Sequence, residues 1–394
     1  MTNQPINHPT IATDVVRPTL VEIDLDRLKE NFLAIRSHVA PAKVMAVVKA
    51  NAYGHGLIRV ARLMQDLKAD CIGVAVLEEG ILLRQAGVTI PILVMGGILG
   101  NQVPHFLKYG LTITASSLET LKAIDDAAGR MRVRAKVHLK IDTGMERIGV
   151  HYYSAGKFLE ASLRCRHVDV EGIFSHFANA DAADLSHAKL QLDRFHEVLS
   201  FYDNLGIPPP KFRHMANSGA ILQLPEARLD LVRPGILLYG VYPSDEAVRS
   251  VTVRPALSWK SRVVYFKVIA PKHPVGYGST WTSGKAVRAV TVPVGYGDGY
   301  FRSMSHKAHV IIRGKKYPVI GAISMDQVVV NIGGDSAFNE DEVILIGESG
   351  GVSITCEDLA HWAGTIPYEV LTNINTRVPR VYRGDEAETN DSKG

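Results

Sequence analysis

The chain has 394 residues, more than one ordinary domain, and its 46% hydrophobic and 21% charged residues are typical of a globular protein. The formal net charge is +4, with acids and bases interspersed, so the sequence lacks the concentrated basic stretch that a nucleic-acid surface requires. Three widely spaced cysteines, Cys71, Cys165 and Cys356, argue against a zinc or disulfide framework and fit reduced thiols in the cytoplasm.

The N-terminal residues 1–18 are polar and are predicted to form a flexible segment. They contain neither the basic region nor the apolar core of a secretory signal. No apolar run in the chain approaches the roughly 20 residues that a membrane span needs. We therefore expect a cytoplasmic protein that binds neither membranes nor nucleic acids.

Residues 19–245 alternate two patterns and are predicted to form the first folded domain. Continuous apolar runs indicate buried parallel strands at 44–48, 72–76, 90–95, 135–141 and 170–174. Apolar residues at three- and four-residue steps indicate helices at 25–39, 77–85, 118–128 and 185–201. A βα unit of about thirty residues leaves room for eight such units, so we predict an α/β fold with a TIM (β/α)8 barrel. An open doubly wound sheet is the alternative on this pattern.

Residues 246–383 have a different residue pattern and are predicted to form a C-terminal all-β domain. Segments rich in β-formers and punctuated by Gly and Pro lie at 258–269, 287–294, 308–312, 328–332 and 342–346, with one helix at 356–363. His306 and His309 stand three residues apart without a third ligand at suitable spacing, so no metal site is predicted. Residues 384–394 are polar and charged, which predicts a loose tail.

Lys49 ends a buried strand within VMAVVKANAYGHG at 44–56, and a turn containing glycine follows it. Barrel enzymes place their chemistry at the carboxyl ends of the strands. A partly desolvated lysine there has a lowered pKa and can attack an aldehyde. The alternative is a lysine that merely extends its ammonium group into solvent at a strand end.

The segment KANAYGHG at 49–56 resembles the cofactor-lysine segment of the alanine racemase family, and further segments follow in the order of that family. They are IDTGMERIG (141–149), FSHFANAD (174–181), HMANSGA (214–220), VRPGILLYG (232–240), GYGSTW (276–281), VGYGDGY (294–300), SMDQ (324–327) and IPYEVLTNI (366–374). The resemblance implies a barrel followed by a β domain, bound pyridoxal 5'-phosphate, and interconversion of L-alanine and D-alanine.

The same resemblance implies that the cofactor is held as a Schiff base on Lys49. Hydroxyl groups and backbone amides would bind its phosphate, and they belong to Tyr53, Ser218, Tyr368, Gly235 and Ile236. Arg233 would face the pyridine nitrogen, which then stays unprotonated because arginine keeps its own proton. We expect this arrangement to favour return of a proton to the α-carbon over transamination.

The resemblance implies that racemisation uses two bases on opposite faces of the α-carbon. Lys49 would act on the face that yields the D-enantiomer, and Tyr277 on the other. Free tyrosine has a pKa of about 10 and needs help to act as a base, which a hydrogen bond from His176 would provide. Without the resemblance, Tyr277 reads as a turn residue, His176 as a satisfied histidine and Arg233 as half of a salt bridge.

The resemblance also implies a substrate side. Arg147 would contact the phenolic oxygen of the cofactor and the substrate carboxylate, beside Met325, Asp326 and Tyr296. The bulk of Tyr296, Tyr368 and Met325 should leave a small pocket, which fits alanine. Several family members carry a carbamylated lysine seven residues before this arginine. Here that residue is Lys140, for which an unmodified lysine near an acidic partner is the alternative.

The implied site residues are divided between the two predicted domains, because Tyr277 and its companions lie in the β domain while Lys49 lies on the barrel. The resemblance implies a head-to-tail homodimer with shared active sites. The alternatives are a racemase of serine or of broader specificity, a related cofactor-dependent decarboxylase, and a non-catalytic carrier of the cofactor. GYGSTW, SMDQ and Arg233 favour a racemase over the decarboxylase, and the region 258–382 argues against a carrier, which would be a single barrel.

Overall fold

The computed structural model describes residues 16–384, so most of the predicted flexible segment 1–18 and nearly all of the predicted tail 384–394 lie outside the described residues. The chain divides into two compact units. One is Leu25–Pro255, and the other combines Met1–Asp24 with Ala256–Gly394. In the described range, no helix is long and apolar enough to cross a bilayer.

The elements are numbered along the chain. The strands are β1 (Leu20–Asp24), β2 (Lys43–Val47), β3 (Cys71–Val74), β4 (Ile92–Val94), β5 (Thr112–Ala115), β6 (Ala135–Asp142), β7 (Val150–His151), β8 (Val168–Phe174), β9 (Phe212–His214), β10 (Leu231–Val232), β11 (Leu257–Arg262), β12 (Tyr265–Ile269), β13 (Val287–Val292), β14 (His309–Ile312), β15 (Lys315–Ile320), β16 (Val328–Gly333), β17 (Glu342–Ser349), β18 (Val352–Ile354) and β19 (Arg380–Arg383). The helices are α1 (Leu25–Val39), α2 (Lys49–Tyr53), α3 (Leu57–Asp66), α4 (Leu77–Gln85), α5 (Val103–Lys108), α6 (Leu118–Met131), α7 (Ala155–Arg164), α8 (Ser186–Asn204), α9 (Ser218–Gln223), α10 (Cys356–Ala363) and α11 (Pro367–Asn373).

The unit Leu25–Pro255 is a nearly closed (β/α)8 barrel of parallel strands, which confirms the predicted fold over the open-sheet alternative. The strands follow the order β10-β2-β3-β4-β5-β6-β8-β9, and β7 pairs with β6. Two backbone bonds link the ends of the row: the Arg233 amide donates to the Ala216 carbonyl at 2.9 Å, and the Asp230 amide donates to the Arg213 carbonyl at 3.1 Å. Since the strands are parallel, their carboxyl ends meet at one rim.

The helices pack their apolar faces on this barrel as the sequence predicts. In α1 the residues at three- and four-residue steps are fully buried, namely Leu25, Leu28, Phe32, Ile35 and Val39. Helix α4 has the predicted bounds, and α6 and α8 extend the predicted segments at their carboxyl ends by three residues each. The barrel thus holds its carboxyl rim in place for side chains that follow the strands.

The second unit is a β domain built on one long sheet, which confirms the predicted all-β C-terminal domain. The strand order is β12-β13-β16-β15-β14-β17-β11-β1-β19, and β18 pairs with β17. Its interior includes the fully buried rings of Trp259 and Tyr300, whose centroids lie 5.8 Å apart. The short helices α10 and α11 complete it.

The structure differs from the predicted boundary at the first strand. The predicted barrel domain 19–245 includes residues 20–24, yet these residues form β1, a strand that was not predicted and that pairs with β11 and β19 of the β domain. Val21 and Ile23 are buried while Glu22 bonds to Lys260 and Arg383, so the strand has one apolar and one polar face. Parallel barrel strands are covered on both faces, and this alternating strand fits a half-covered antiparallel sheet instead.

Candidate active site

Lys49 lies at the carboxyl end of β2, where the chain enters an unusual left-handed turn. Residues 50–53 all have positive φ, between 51° and 54°, although none of them is glycine. Each such residue costs roughly 1–2 kcal/mol relative to the right-handed form. The Ala50 amide donates to the Glu79 carboxylate at 2.6 Å, which helps to hold the turn. Strain of this kind clusters at functional sites.

The surroundings of Lys49 make its amine more nucleophilic. Burial lowers the pKa of Lys49, the positive charges of Arg147 and Arg233 lower this pKa further, and Glu79 opposes them. A lysine with a lowered pKa has more neutral amine near pH 7, and the neutral amine is the form that attacks a carbonyl.

A compact group of donors follows strands β2, β9 and β10 in the same barrel. The amides of Gly235 and Leu237 donate to the Ser218 hydroxyl at 3.0 and 3.3 Å. A Cβ on Gly235 would collide with the Tyr53 hydroxyl and would lie 3.8 Å from the Ser218 hydroxyl. Ile236 begins a short 3₁₀ helix directly after this glycine. Glycine therefore leaves room between two hydroxyl groups and a series of backbone amides.

Arg233 is buried and donates only to neutral acceptors. One Nη donates to His214 Nδ1 at 2.7 Å. The other donates to the carbonyls of Ser175 and Met215 at 2.7 and 3.1 Å and to His176 Nδ1 at 3.2 Å. In the part of the chain that the structure describes, no carboxylate forms an ion pair with it. Burial lowers the pKa of Arg233 to about 9, so it remains a cation near neutral pH.

These bonds assign the tautomers of three histidines. Arginine can only donate, so Nδ1 of His214 and Nδ1 of His176 must both accept and carry no proton. His214 therefore has its proton on Nε2 and donates it to His138 Nδ1, 2.8 Å away. The neutral His176 likewise has its proton on Nε2, which makes that atom a donor toward any nearby oxygen.

Burial and the positive field of Arg233 keep all three rings neutral. They lower the pKa of His138 to about 3, and they hold the pKa values of His214 and His176 well below the ordinary value. The network is consequently one cation surrounded by neutral rings, with no proton to exchange near pH 7.

Lys140 and Arg147 lie near this group. Lys140 is buried on β6, and its ammonium group donates to the Ile141 carbonyl at 2.9 Å. Burial, followed by the charge of Arg233, lowers the pKa of Lys140 to about 7. The Asp142 carboxylate accepts from the amides of Gly144 and Arg147 at 2.8 and 3.2 Å, which fixes the loop that carries the exposed Arg147.

The β domain carries the other implied site residues at its surface. Tyr277, Met325 and Tyr296 are 72%, 52% and 42% exposed. The amides of Tyr296 and Gly297 donate to the carbonyls of Ser324 and Met325 at 3.1 and 2.9 Å, so Tyr296 and Met325 are neighbours. Asp326 is exposed beside them, and Tyr368 lies half-buried on α11.

Tyr277 is presented by a tight turn. Gly276 and Gly278 on either side of it both have φ of 74°, a value that glycine adopts without strain. The turn is closed by a β-bridge between Val275 and Trp281. His306 contacts Thr280 of this turn at 2.9 Å. Among residues 16–384, no cluster of three or more His, Cys, Asp or Glu side chains could hold a metal ion.

The structure thus brings the barrel residues together around Lys49 and groups most of the others on the β domain. It also adds residues that the sequence did not single out: Glu79, His138 and His214. His138 stands two positions before Lys140, and this spacing puts both side chains on one face of β6. No sequence pattern indicates the contact between His138 and His214, which are 76 residues apart.

Comparison with known proteins agrees with this arrangement over both units. The family description "Alanine racemase, N-terminal domain" matches residues 23–243, and "Alanine racemase, C-terminal domain" matches residues 256–382. A relative named alanine racemase from Carboxydothermus hydrogenoformans is 43% identical over 369 residues, covering 93% of this chain and 100% of the relative.

Solved structures show the same likeness. Alanine racemase of Clostridium difficile 630 superposes with a TM-score of 0.88 at 38% identity, covering 94% of this chain and 97% of that one. Alanine racemase of Bacillus anthracis with bound L-Ala-P superposes with a TM-score of 0.89 at 32% identity, covering 94% and 96%. Sequence, fold and the grouping of residues around Lys49 agree, and the chain belongs to the alanine racemase family.

Proposed function

We propose that this chain interconverts L-alanine and D-alanine with pyridoxal 5'-phosphate held covalently by Lys49. The observation that carries the proposal is the grouping of an activated lysine, a cradle of hydroxyls and amides, and a buried arginine in one barrel. Relatives named alanine racemase, one of them with bound L-Ala-P, support alanine as the substrate. When bound, pyridoxal phosphate withdraws electrons from the α-carbon of an amino acid and weakens its C–H bond.

The residues present fit this cofactor. A phosphate needs several donors that can approach closely, and the space beside Gly235 is lined by the hydroxyls of Tyr53 and Ser218. The Ile236 amide would add a backbone donor, and the Gly235 amide would add another by exchanging its bond to the Ser218 hydroxyl for one to the phosphate. Tyr368 would add a third hydroxyl. These neutral donors can form charge-assisted hydrogen bonds with a phosphate anion.

Arg233 would hold the ring nitrogen of the cofactor by donating a hydrogen bond to it. Its other donors are already occupied by His214, His176 and two carbonyls, which fix the guanidinium. A cation that keeps its proton leaves the ring nitrogen unprotonated, so less charge is drawn into the ring. This favours return of the proton to the α-carbon, which is the racemase outcome.

Two bases would move the α-proton. Lys49 removes or returns it on one face, and its lowered pKa makes the neutral amine available. Tyr277 acts on the other face. The Nε2–H of His176 is positioned by Arg233 as a donor, and donation to the Tyr277 oxygen would stabilise the phenolate that accepts a proton.

The substrate side would be formed by Arg147, Tyr296, Met325 and Asp326. Arg147 supplies a cation for the α-carboxylate of the amino acid, and the large side chains of Tyr296 and Met325 restrict the space to a methyl group. Lys140 would be carbamylated, since its lowered pKa leaves the amine largely neutral at weakly alkaline pH. The resulting anion would orient Arg147.

We also propose a head-to-tail homodimer with shared active sites. Tyr277, Tyr296 and Met325 are large exposed side chains on the β domain, and a partner subunit would cover them. In this assembly the β domain of one subunit supplies Tyr277 to the Lys49 of the other, and the twofold axis of an isologous dimer repeats the same contact in the second site.

Incubation with L-alanine in deuterated water tests the function. We expect D-alanine that carries deuterium at the α-carbon, because the proton is exchanged with solvent during transfer. The Tyr277→Phe variant should keep the absorbance of the bound cofactor and lose roughly 10²–10⁴-fold in turnover. The Lys49→Ala variant should lose both the absorbance of the bound cofactor and the turnover.

Three outcomes would contradict parts of this proposal. Carbon dioxide release without the D-enantiomer would identify a decarboxylase. A higher kcat/KM for L-serine than for L-alanine would identify a different racemase. Unchanged racemisation in both directions by Tyr277→Phe would remove Tyr277 from its role as a base.

A further inference from the structure

Four charged residues from separate segments form a series of ion pairs that runs from the interior of the β domain to its surface: Arg17, Asp298, Arg377 and Asp326. Asp298 is fully buried, and one of its carboxylate oxygens accepts from Arg17 at 2.7 Å and from Arg377 at 2.6 Å. Its other oxygen accepts from the Gly295 amide at 3.0 Å. A buried carboxylate requires such partners, because unpaired it would be costly to desolvate.

Arg377 extends from this buried group to the turn at residues 324–326. While its Nε donates to Asp298, one of its Nη atoms donates to the Asp326 carboxylate at 2.6 Å and lies 3.5 Å from the Met325 carbonyl. The Asp326 side chain is 62% exposed, so the arginine connects a fixed anchor to a solvent-facing turn. The planar guanidinium makes the connection directional.

The neighbouring turn at residues 295–297 holds the same segment from the other side. It donates its Tyr296 and Gly297 amides to the Ser324 and Met325 carbonyls. A Cβ on Gly295 would collide with Ser324 and Met325, so the two turns touch through backbone. Arg377 and the turn at residues 295–297 thus hold residues 324–326 from two sides.

We propose that Arg377, anchored by Asp298, is a positioning residue that holds the Met325 carbonyl and the Asp326 carboxylate, and with them the turn at residues 324–326, in place for the amino-acid substrate. This inference rests on the proposed function, in which Met325 and Asp326 lie on the substrate side. Arg377 touches the substrate-binding turn and not the substrate. Small displacements of binding groups reduce turnover or affinity strongly, by up to about a hundredfold for a shift near 1 Å.

Arg17 provides a matched control, because it donates to the same oxygen of Asp298 and to the Arg377 backbone carbonyl but has no bond to residues 324–326. The experiment compares Arg377→Met, Arg377→Lys and Arg17→Met in the full chain loaded with cofactor. Both methionine variants leave Asp298 with one arginine, and we expect similar losses of Tm. We expect Arg377→Met to raise KM for L-alanine about tenfold with a smaller change in kcat, and Arg17→Met to leave KM unchanged.

The conservative variant separates positioning from stability. Lysine can replace the cation beside Asp298 but cannot bond to Asp298 and Asp326 together, so Arg377→Lys should recover Tm and keep the raised KM. Hydrogen exchange gives a readout without activity: the Tyr296 and Gly297 amides should exchange faster in both Arg377 variants than in Arg17→Met.

The outcomes distinguish this inference from the proposed function. Equal rises in KM for Arg17→Met and Arg377→Met, or full recovery of KM with Tm in Arg377→Lys, would overturn positioning. An unchanged KM in Arg377→Met with a racemising wild type would overturn it and leave the function intact. If the wild type does not racemise alanine, the proposed function fails. In that case, equal exchange of the Tyr296 and Gly297 amides in all variants would also show that Arg377 does not hold the turn at residues 324–326.

Discussion

At the scale of single residues, the barrel site concentrates positive charge where the protein is least hydrated. Lys49, Lys140 and Arg233 all have lowered pKa values, and burial is the largest cause in each case. Arg233 keeps its proton under this pressure, Lys140 loses part of its charge near neutral pH, and the lowered pKa of Lys49 shifts that amine toward its neutral form. The same environment therefore yields a permanent cation and two reactive amines.

Lys140 gives a prediction with a defined pH dependence. Carbon dioxide adds only to a neutral amine, forming an N–C bond as the nitrogen loses a proton. With a pKa lowered to about 7, Lys140 is mostly neutral at pH 8 and mostly charged at pH 6. We expect ¹³C-labelled bicarbonate to produce a carbamate resonance at pH 8 that fades as the pH falls through about 7.

The control for this labelling lies on the same strand. Lys136 is exposed on β6 and pairs with Glu171 at 2.6 Å. The resonance should persist in Lys136→Met and vanish in Lys140→Met. A signal that survives in Lys140→Met, or its absence at pH 8 in the wild type, would contradict carbamylation of Lys140.

At the scale of elements, the left-handed turn after β2 shows how local strain is held by the fold. Four successive residues with positive φ would not persist in an isolated peptide. Here the Asn51 carboxamide accepts from the Leu57 amide at 2.9 Å, and the Tyr53 ring packs on Tyr239 with centroids 4.9 Å apart. The turn reverses the chain directly after Lys49 and brings Tyr53 to Gly235.

Replacing Ala50 by glycine should relieve part of this strain. Glycine adopts a φ of 54° freely, and the gain exceeds its greater flexibility in the unfolded chain, so Ala50→Gly should stabilise the barrel by about 0.5–1 kcal/mol. Ala34→Gly, in the regular helix α1, should destabilise it by about 0.5–1 kcal/mol. The urea midpoints of unfolding would measure both effects. A loss of stability in Ala50→Gly as large as that in Ala34→Gly would show that the backbone at Ala50 is not strained.

Sequence reasoning missed strands β15 and β1 for different reasons. β15 contains Lys315, Lys316 and Pro318 within six residues, so it carries neither an apolar run nor a clean alternation. Its pairing with β14 and β16 supplies the order that its own sequence does not. β1 alternates clearly, but alternation alone does not say which sheet a strand joins.

At the scale of the whole molecule, the division of site residues between two units makes the assembly part of the proposed mechanism. Lys49 lies in the barrel unit and Tyr277 in the β domain, where it is 72% exposed. If the sites are shared between subunits, each site needs Lys49 from one chain and Tyr277 from the other. Two inactive variants should then restore one intact site when combined.

A mixing experiment tests this directly. Lys49→Ala and Tyr277→Phe subunits, denatured together and refolded, should form hybrids in which one site has both wild-type residues. With random pairing we expect roughly a quarter of the wild-type activity. Each variant refolded alone is the control. Recovery of no activity, with hybrids proven by mass, would contradict shared sites.

The sequence by itself determined the order of the two folds and the position of the central lysine. Continuous apolar runs are required by buried parallel strands, and Lys49 follows one of them, so the pattern was sufficient. The roles assigned to Tyr277, Met325 and their neighbours came from resemblance between segments and remain proposals.

Only the tertiary structure decided the bonds among distant residues. The contact of His138 with His214, the neutral partners of Arg233, and the meeting of Arg17, Asp298 and Arg377 all join residues far apart in the chain. Such pairs leave no local pattern, because burial and hydrogen bonding depend on which segments the fold brings together. The same burial lowers the pKa of Lys49, so its chemistry, unlike its position, is a property of the folded barrel.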